Sequence, residues 1–289
     1  MNCNLCPRQC NINRSTAIGF CGQTENLRIS KVMFHKFEEP FISGNETDKG
    51  SGAIFFTGCN LRCVFCQNEP ISHGNVGENI SVEKLASIMQ ELEQNGALNI
   101  NLVTPTHFAS QIVKALKIYR PQIPVIWNSS GYETEQMLEM LAGFVDVFLV
   151  DFKYMDNALA TRYSKAPNYA ETAMACIKKM RQLQPKDIFE NGYIKKGVVV
   201  RHLVLPSHTT DSINCLNFVA NALGENAYIS IMSQYEPRYN AVNYPEINRK
   251  LTPLEYKRVV NHALKLNLNN ALVQDLSSAN SCYTPNFLE

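Results

Sequence analysis

Residues Phe56 to Asn68 read F-T-G-C-N-L-R-C-V-F-C-Q-N, and no other stretch constrains the chain as much. Cys59, Cys63 and Cys66 stand in a C-x3-C-x2-C spacing, just after the apolar run Ala53 to Phe56. Three thiolates on one tight loop suit a soft metal centre better than a disulfide pair. A structural zinc site is normally closed by four protein ligands, and so is an electron-transfer iron–sulfur cluster. The loop has no fourth Cys or His, and the nearest candidate is His73. The simplest reading is a four-iron cluster held by three cysteines, with its fourth iron free for a substrate or cofactor. The run before the loop reads as a buried strand, so the loop follows a strand's C-terminal end.

The chain has 289 residues, 45% of them hydrophobic, enough for one large core or for a barrel with small additions. With 27 basic and 26 acidic residues the net charge is +1, which gives no electrostatic case for a nucleic-acid or membrane partner. Lys178, Lys179 and Arg181 read as a solvated helix face. Met1 to Cys10 is polar and rich in Cys, neither a signal peptide nor a spanning segment. The ten cysteines cluster at metal spacings in a chain too long to need disulfide staples. A reducing cytoplasm at low oxygen is therefore the expected setting. No fixed-period repeat or low-complexity stretch is visible.

Cys3, Cys6, Cys10 and Cys21 make C-x2-C-x3-C-x10-C, with Gly19 and Gly22 around the last. This pattern reads as a small closed metal knuckle, either an auxiliary iron–sulfur cluster or zinc, with free thiols as the bland alternative. Of the isolated cysteines, Cys176 and Cys215 read as buried apolar residues on helices and Cys282 as a tail thiol.

Leu27 to Phe37 reads as a hairpin strand and Glu38 to Gly52 as a loop. From Ala53 onward strands alternate with helices. Strands are predicted at Ala53 to Phe56, Leu98 to Val103, Pro124 to Trp127, Val145 to Val150, Val198 to Leu205 and Tyr228 to Met232. Helices are predicted around Val82 to Leu92, Phe108 to Tyr119, Met137 to Leu141, Thr172 to Leu183 and Ser212 to Leu223. A last one starts at the capping box of Thr252, Pro253 and Glu255 and runs to about Leu266. This alternation predicts a parallel α/β fold. Too few units are visible for a closed eight-fold barrel, and no G-x-G-x-x-G follows the first strand. We expect a Cys-rich arm over 1–52, the α/β body over 53–235 and a C-terminal helical extension over 236–289.

The cysteine loop, with Phe65 as the aromatic in C-x3-C-x-aromatic-C, resembles the cluster loop of the radical SAM superfamily. The resemblance implies a partial (β/α)6 barrel. It also implies a 4Fe-4S cluster on Cys59, Cys63 and Cys66 whose open iron binds the amino and carboxylate groups of S-adenosylmethionine. An electron from the cluster then cleaves the sulfonium to a 5′-deoxyadenosyl radical. Functional groups of parallel barrels gather at the C-terminal strand ends, so each end supplies candidates for binding S-adenosylmethionine. After strand one come Phe65, Gln67 and Asn68, where activating enzymes of this superfamily carry a His-Asn pair. After strand two, V-T-P-T-H puts Thr106 and His107 where the superfamily has a G-G-E stretch. After strand three, W-N-S-S-G-Y offers Asn128 and Ser130, resembling an Asp-Thr-Asn-Gly stretch. After strand four, Asp151 and Lys153 resemble the D-x-K motif of pyruvate formate-lyase activating enzymes. Two residues apart on a strand, they point the same way. After strand five, Arg201 and His202 face opposite sides, and His202 is expected to point inward. After strand six, Gln234, Tyr235 and Arg238 could close the substrate side.

The reaction implied by the branch of closest resemblance is hydrogen-atom abstraction from a glycine of a partner glycyl-radical enzyme. The partners implied are that protein and an electron donor such as flavodoxin or ferredoxin. A second enzyme reading is modification of a small molecule or peptide, with the N-terminal knuckle as an auxiliary cluster. A third is a redox sensor or carrier without turnover, which the open three-cysteine site argues against.

Overall fold

The computed structural model describes residues 3–279, 285 and 287. Cys282 lies outside the described residues. The strands are β1 (Arg28–His35), β2 (Ser51–Phe56), β3 (Glu78–Asn79), β4 (Ile100–Val103), β5 (Val125–Ser129) and β6 (Val147–Asp151), followed by β7 (Ile188–Glu190), β8 (Tyr193–Leu203), β9 (Tyr228–Met232) and β10 (Asn270–Val273). The helices are α1 (Pro40–Ser43), α2 (Glu69–Ser72), α3 (Val82–Gln94), α4 (Ala109–Ile118) and α5 (Glu135–Met140), followed by α6 (Asn157–Ser164), α7 (Tyr169–Leu183), α8 (Thr209–Leu223) and α9 (Pro253–Lys265).

Among the described residues the strands form one sheet, ordered β10-β9-β8-β6-β5-β4-β2-β1-β3, with β7 hairpinned onto β8. From β2 to β10 every neighbouring pair along this path is parallel, while β1 runs antiparallel to β2. The architecture is the expected partial parallel barrel. It carries one more parallel strand than predicted, because β10 from the C-terminal extension adds to β9. The expected arm, body and extension thus share a single sheet.

Strand alternation divides the barrel's apolar residues between an outer and an inner face. Ile54, Phe56, Leu102, Trp127, Phe148, Val150, Val198, Val200 and Ile231 face outward, under the ring of helices. Ile126, Val147, Leu149 and Val199 face inward and meet Ile42 of α1. The segment predicted as a plain loop over Glu38 to Gly52 therefore contains a plug. Its Ile42 side chain is fully buried, and its Ile42 carbonyl accepts from Asn99 Nδ2 at 2.7 Å. Asn99 immediately precedes β4, so α1 stoppers the N-terminal end of the barrel.

The predicted helix starts are present where the caps demand them. Ser81 accepts from the Lys84 amide at 3.1 Å, and Thr252 and Glu255 form the reciprocal box at the start of α9. The β7–β8 hairpin and α6 also escaped the sequence reading. The β7–β8 hairpin turns at Asn191-Gly192, both at positive φ, which is a standard hairpin signal. Helix α6 is short and only weakly amphipathic, and Asp156 caps it by accepting from the Ala158 amide at 2.7 Å.

Replacing Ile42 with Ala should cost about 2–5 kcal/mol by emptying the plug contact. Urea denaturation of Ile42→Ala beside the unaltered chain reads this directly, and a change within error would remove α1 from the account of stability.

Candidate active site

A cavity of about 510 Å³ opens inside the barrel, within the size range of small-molecule sites. At its upper end Cys59, Cys63, Cys66, Phe65, Gln67 and Asn68 line it. Thr106, Asn128, Ser130, Asp151 and Lys153 line its wall, and His35, Glu38, Glu39 and Arg201 its floor.

The cluster loop is held by backbone from several directions. The Arg62 and Val64 amides donate to the Ser164 and Tyr163 carbonyls at 3.1 and 2.8 Å, so the end of α6 cradles the loop. The Cys59 amide donates to the Cys21 carbonyl at 3.2 Å, which brings the N-terminal arm directly onto it. Gly58 makes this approach feasible. Its φ is +89°, and a Cβ there would sit 2.5 Å from the Cys21 carbonyl oxygen. Arg62 stacks on Phe20 and donates to its carbonyl at 2.5 Å, while Arg8 covers the same ring and donates to Asn60 O at 2.8 Å.

Each sulfur of the loop has a polar group close to it. The Leu61 amide donates to Cys59 Sγ at 3.3 Å, and the Ser164 and Ser72 hydroxyls lie 3.0 Å from Cys63 and Cys66 Sγ. Burial pushes the Cys59 thiol up to about 12 and Cys66 to about 11, each aided by its cysteine neighbours. Such thiols ionise only against a strong local cation, which iron supplies. Among the described residues no three Cys, His, Asp or Glu side chains converge on one ion-sized point. A four-iron cluster asks for no such point, because each cysteine binds its own iron. His73 does not turn toward the loop's cavity; it packs on Tyr239 with ring centroids 5.1 Å apart. His35 pairs in register with Ser51 at the start of β2, the end of the strand away from the loop. The donor set thus fits a cluster held by three cysteines.

A buried ionic network crosses the barrel below the loop. Arg201 Nε donates to Asp151 Oδ1 at 2.8 Å, Nη1 to Glu38 Oε2 at 2.7 Å and Nη2 to Asn128 Oδ1 at 2.8 Å. Lys153 Nζ donates to Asp151 Oδ2 at 2.8 Å. Asn101 and Asn128 amides donate to Glu38 Oε1 at 3.1 and 3.2 Å. Burial works against the Asp151 carboxylate, but Arg201 and Lys153 outweigh it and hold it down to about 2. Burial likewise opposes the Lys153 ammonium, and Asp151 with the Cys63 sulfur keeps it above its ordinary range. Lys153 therefore links the network to the cluster loop.

Two histidines expected at the site lie elsewhere. His202 faces outward, because Val199 and Arg201 have the inward parity on β8. Its Nδ1 lies 2.7 Å from the Phe152 carbonyl, and burial holds it down to about 4. Arg201, its neighbour, takes the inward place. His107 is buried behind the cavity wall, with Nε2 2.7 Å from Thr57 O, and its carbonyl accepts from Arg14 at 2.6 Å. Burial drives it down to about 3. Thr106 does line the cavity, but its hydroxyl donates to Glu133 at 2.7 Å, and Phe108 rather than Thr106 precedes α4. Tyr235 packs edge-on against Phe65 at 5.6 Å, and Gln67 Nε2 donates to the Gln234 carbonyl at 3.2 Å, which joins the loop to the end of β9. Arg238 pairs with Glu236 and does not line the cavity. The sequence reading missed Glu38, Glu39 and the plug. The one signal available was an acidic pair set between Phe37 and Phe41 ahead of Pro40.

The four N-terminal cysteines share one small fold. The Phe20 amide donates to Cys10 Sγ at 3.4 Å, and a Cβ at Gly19 would lie 3.4 Å from Cys21 Sγ and 3.9 Å from Cys10 Sγ. Burial pushes the Cys6 thiol up to about 12, with the other three cysteines adding to the shift.

Three outcomes follow from this geometry. Replacing Arg201 with Met strands Glu38 without its cation, leaves Asp151 with Lys153 alone and should lower stability by about 3–5 kcal/mol in urea. The Asp151 carboxyl sits below its ordinary 3.8 in the fold, so its contribution is complete above that pH and is lost as pH falls toward about 2. The acid limb of a stability-versus-pH curve should flatten in Asp151→Asn, and an unchanged limb would contradict the pairing. Gly58→Ala should part the arm from the loop, read as iron lost per chain after anaerobic reconstitution.

Residues 53–218 match the radical SAM superfamily. The uncharacterized protein MJ0674 of Methanocaldococcus jannaschii is 36% identical over 280 residues, covering 93% of this chain and 76% of that one. The fold is similar to SuiB of Streptococcus suis bound to S-adenosylmethionine, with TM-score 0.52 at 12% identity. It is also similar to the FeFe-hydrogenase maturase HydG of Carboxydothermus hydrogenoformans, with TM-score 0.50 at 13% identity. These matches cover 75% and 74% of this chain but 47% and 50% of the solved ones, so the chain spans about half their length. Together with the three-cysteine loop at the top of a partial parallel barrel, they establish that this chain belongs to the radical SAM superfamily, whose chemistry uses a 4Fe-4S cluster and S-adenosylmethionine.

Proposed function

We propose that this chain performs hydrogen-atom abstraction on a small molecule or peptide side chain that reaches into the barrel. One observation carries this reading. The cavity does not stop at the strand-end residues that suit S-adenosylmethionine but continues to a charged floor of Glu38, Glu39 and Arg201. A glycine backbone brings no charge to meet Glu39, whose buried Oε2 has no hydrogen-bond partner within the floor.

Cys59, Cys63 and Cys66 would hold the cluster, and when bound it supplies, with S-adenosylmethionine, a carbon radical able to take a hydrogen atom. Lys153 offers an ammonium to the carboxylate of S-adenosylmethionine, with Asp151 fixing its position. Phe65, Asn68, Thr106 through its backbone, Asn128 and Ser130 shape the surrounding wall. Tyr169 holds Ser130 in place by donating to its carbonyl at 2.8 Å. The deep barrel excludes water from the reacting atoms.

Cys3, Cys6, Cys10 and Cys21 would hold an iron–sulfur group against the cluster loop, since among the described residues no three such side chains converge on the single point that zinc needs. A flavodoxin- or ferredoxin-type donor in a reducing cytoplasm supplies the electron. Among the described residues no helix is long and apolar enough to cross a membrane. The second reading, activation of a glycyl-radical protein, draws on the Asp151-x-Lys153 pair. That pair serves S-adenosylmethionine in either case. SuiB has been solved with a precursor peptide, which supports a peptide as one substrate form.

Reconstituted protein given S-adenosylmethionine and a reductant should release 5′-deoxyadenosine, and Lys153→Ala should weaken S-adenosylmethionine binding by about tenfold. Deuterated candidates then decide the substrate: label arriving from a partner protein's glycine would overturn the small-substrate reading. Iron and zinc per chain, with the four N-terminal cysteines changed to Ala, identify the metal of the knuckle.

A further inference from the structure

The floor of the cavity has a charge imbalance that the network above does not resolve. Three carboxylates, Glu38, Glu39 and Asp151, face two cations, Arg201 and Lys153. Arg201 and Lys153 are ion-paired to Glu38 and Asp151. Glu39 is 7% exposed, and its Oε2 has no hydrogen-bond partner. A second orphan lies on the same floor: His35, also 7% exposed, has no partner for Nδ1.

These groups have a shared chemistry. A buried carboxylate with a free oxygen asks for a cation or a strong donor. Burial, only partly offset by Arg201, pushes the Glu39 carboxyl up, the shift expected of a carboxylate that has no cation of its own, and burial pushes the His35 imidazole down toward its neutral form. Aromatic rings stand beside these groups. The His35 ring meets Phe37 and Phe55 edge-on, with centroids 5.7 and 6.2 Å away, and all three line the cavity. Carboxylate, neutral imidazole and aromatic surface together favour an organic cation. A bare divalent ion fits poorly, because the acidic groups do not converge and a guanidinium stands among them.

We propose that this floor is the recognition subsite for a substrate carrying a protonated amine, with Glu39 as its counter-ion. The proposal rests on the small-substrate reading above and names the substrate class. The methionine amine of S-adenosylmethionine is met at the cluster end instead, so the two sites are occupied together.

The test uses cluster-loaded protein saturated with S-adenosylmethionine. Butylammonium, 1-butanol and butyrate serve as probes, their binding measured by saturation-transfer NMR titration. Butylammonium should bind about tenfold or more tightly than the other two. Glu39→Gln should reduce butylammonium to the level of 1-butanol, with S-adenosylmethionine affinity within about twofold of the parent by equilibrium dialysis. Glu39→Asp, which keeps the charge, should retain part of the preference. Equal binding of amine and alcohol to the unaltered protein would overturn the proposal without recourse to any variant. So would a folded Glu39→Gln protein that still prefers the amine. Butyrate as the best probe would replace the amine with an acid and overturn the proposal, while leaving the small-substrate reading intact. Label transfer from a partner's glycine, by contrast, defeats that underlying reading whatever the probes do.

Discussion

A guanidinium buried inside a barrel is tolerable only where carboxylates meet it, and Arg201 organises the interior for that reason. Its three donor positions reach β6 through Asp151, β5 through Asn128 and the segment before the plug through Glu38. Removing any one contact leaves a charge or dipole in a low-dielectric space, where the penalty is large. The network therefore fixes three elements in one arrangement, and it positions Lys153 under the cluster loop.

The loop above depends on the same logic applied to backbone. A segment of residues 58–66 with little regular structure must satisfy its amides elsewhere. It does so on the end of α6, on α2 through the Gly58 amide to the Ile71 carbonyl at 2.8 Å, and on the N-terminal arm. The arm is thus part of the site's support as well as a carrier of four further thiols. Its cysteines and those of the loop are joined by the hydrogen bond from Cys59 to the Cys21 carbonyl.

Much of this was legible in the chain. The apolar runs, the Ser81 and Thr252 caps and the Gly and Pro stops give the alternation of strands and helices. The cysteine spacing identifies the loop and, through it, the family. Their two-residue separation gives Asp151 and Lys153 a common side, and both line the cavity although β6 ends at Asp151. The same rule says that only one of Arg201 and His202 faces inward, yet it does not say which. That choice needs the register with β6, where Asp151 stands opposite Arg201. An arginine inside a barrel looks costly when its partners are not yet known. Glu38 was hidden for the same reason: its partners come from residues more than sixty positions away.

What the sequence alone determined is local or periodic: three sulfurs on one turn, strands that alternate, helices that start at their caps. These depend on neighbours a few residues apart, so spacing is enough to read them. What only the tertiary structure decided is which polar groups share the interior, that α1 closes the barrel's lower end, that His107 and His202 serve the packing, and that Glu39 Oε2 and His35 Nδ1 are left without hydrogen-bond partners. Each of those is a long-range pairing in a space that excludes water. No stretch of the chain can record it until the sheet has closed around that space.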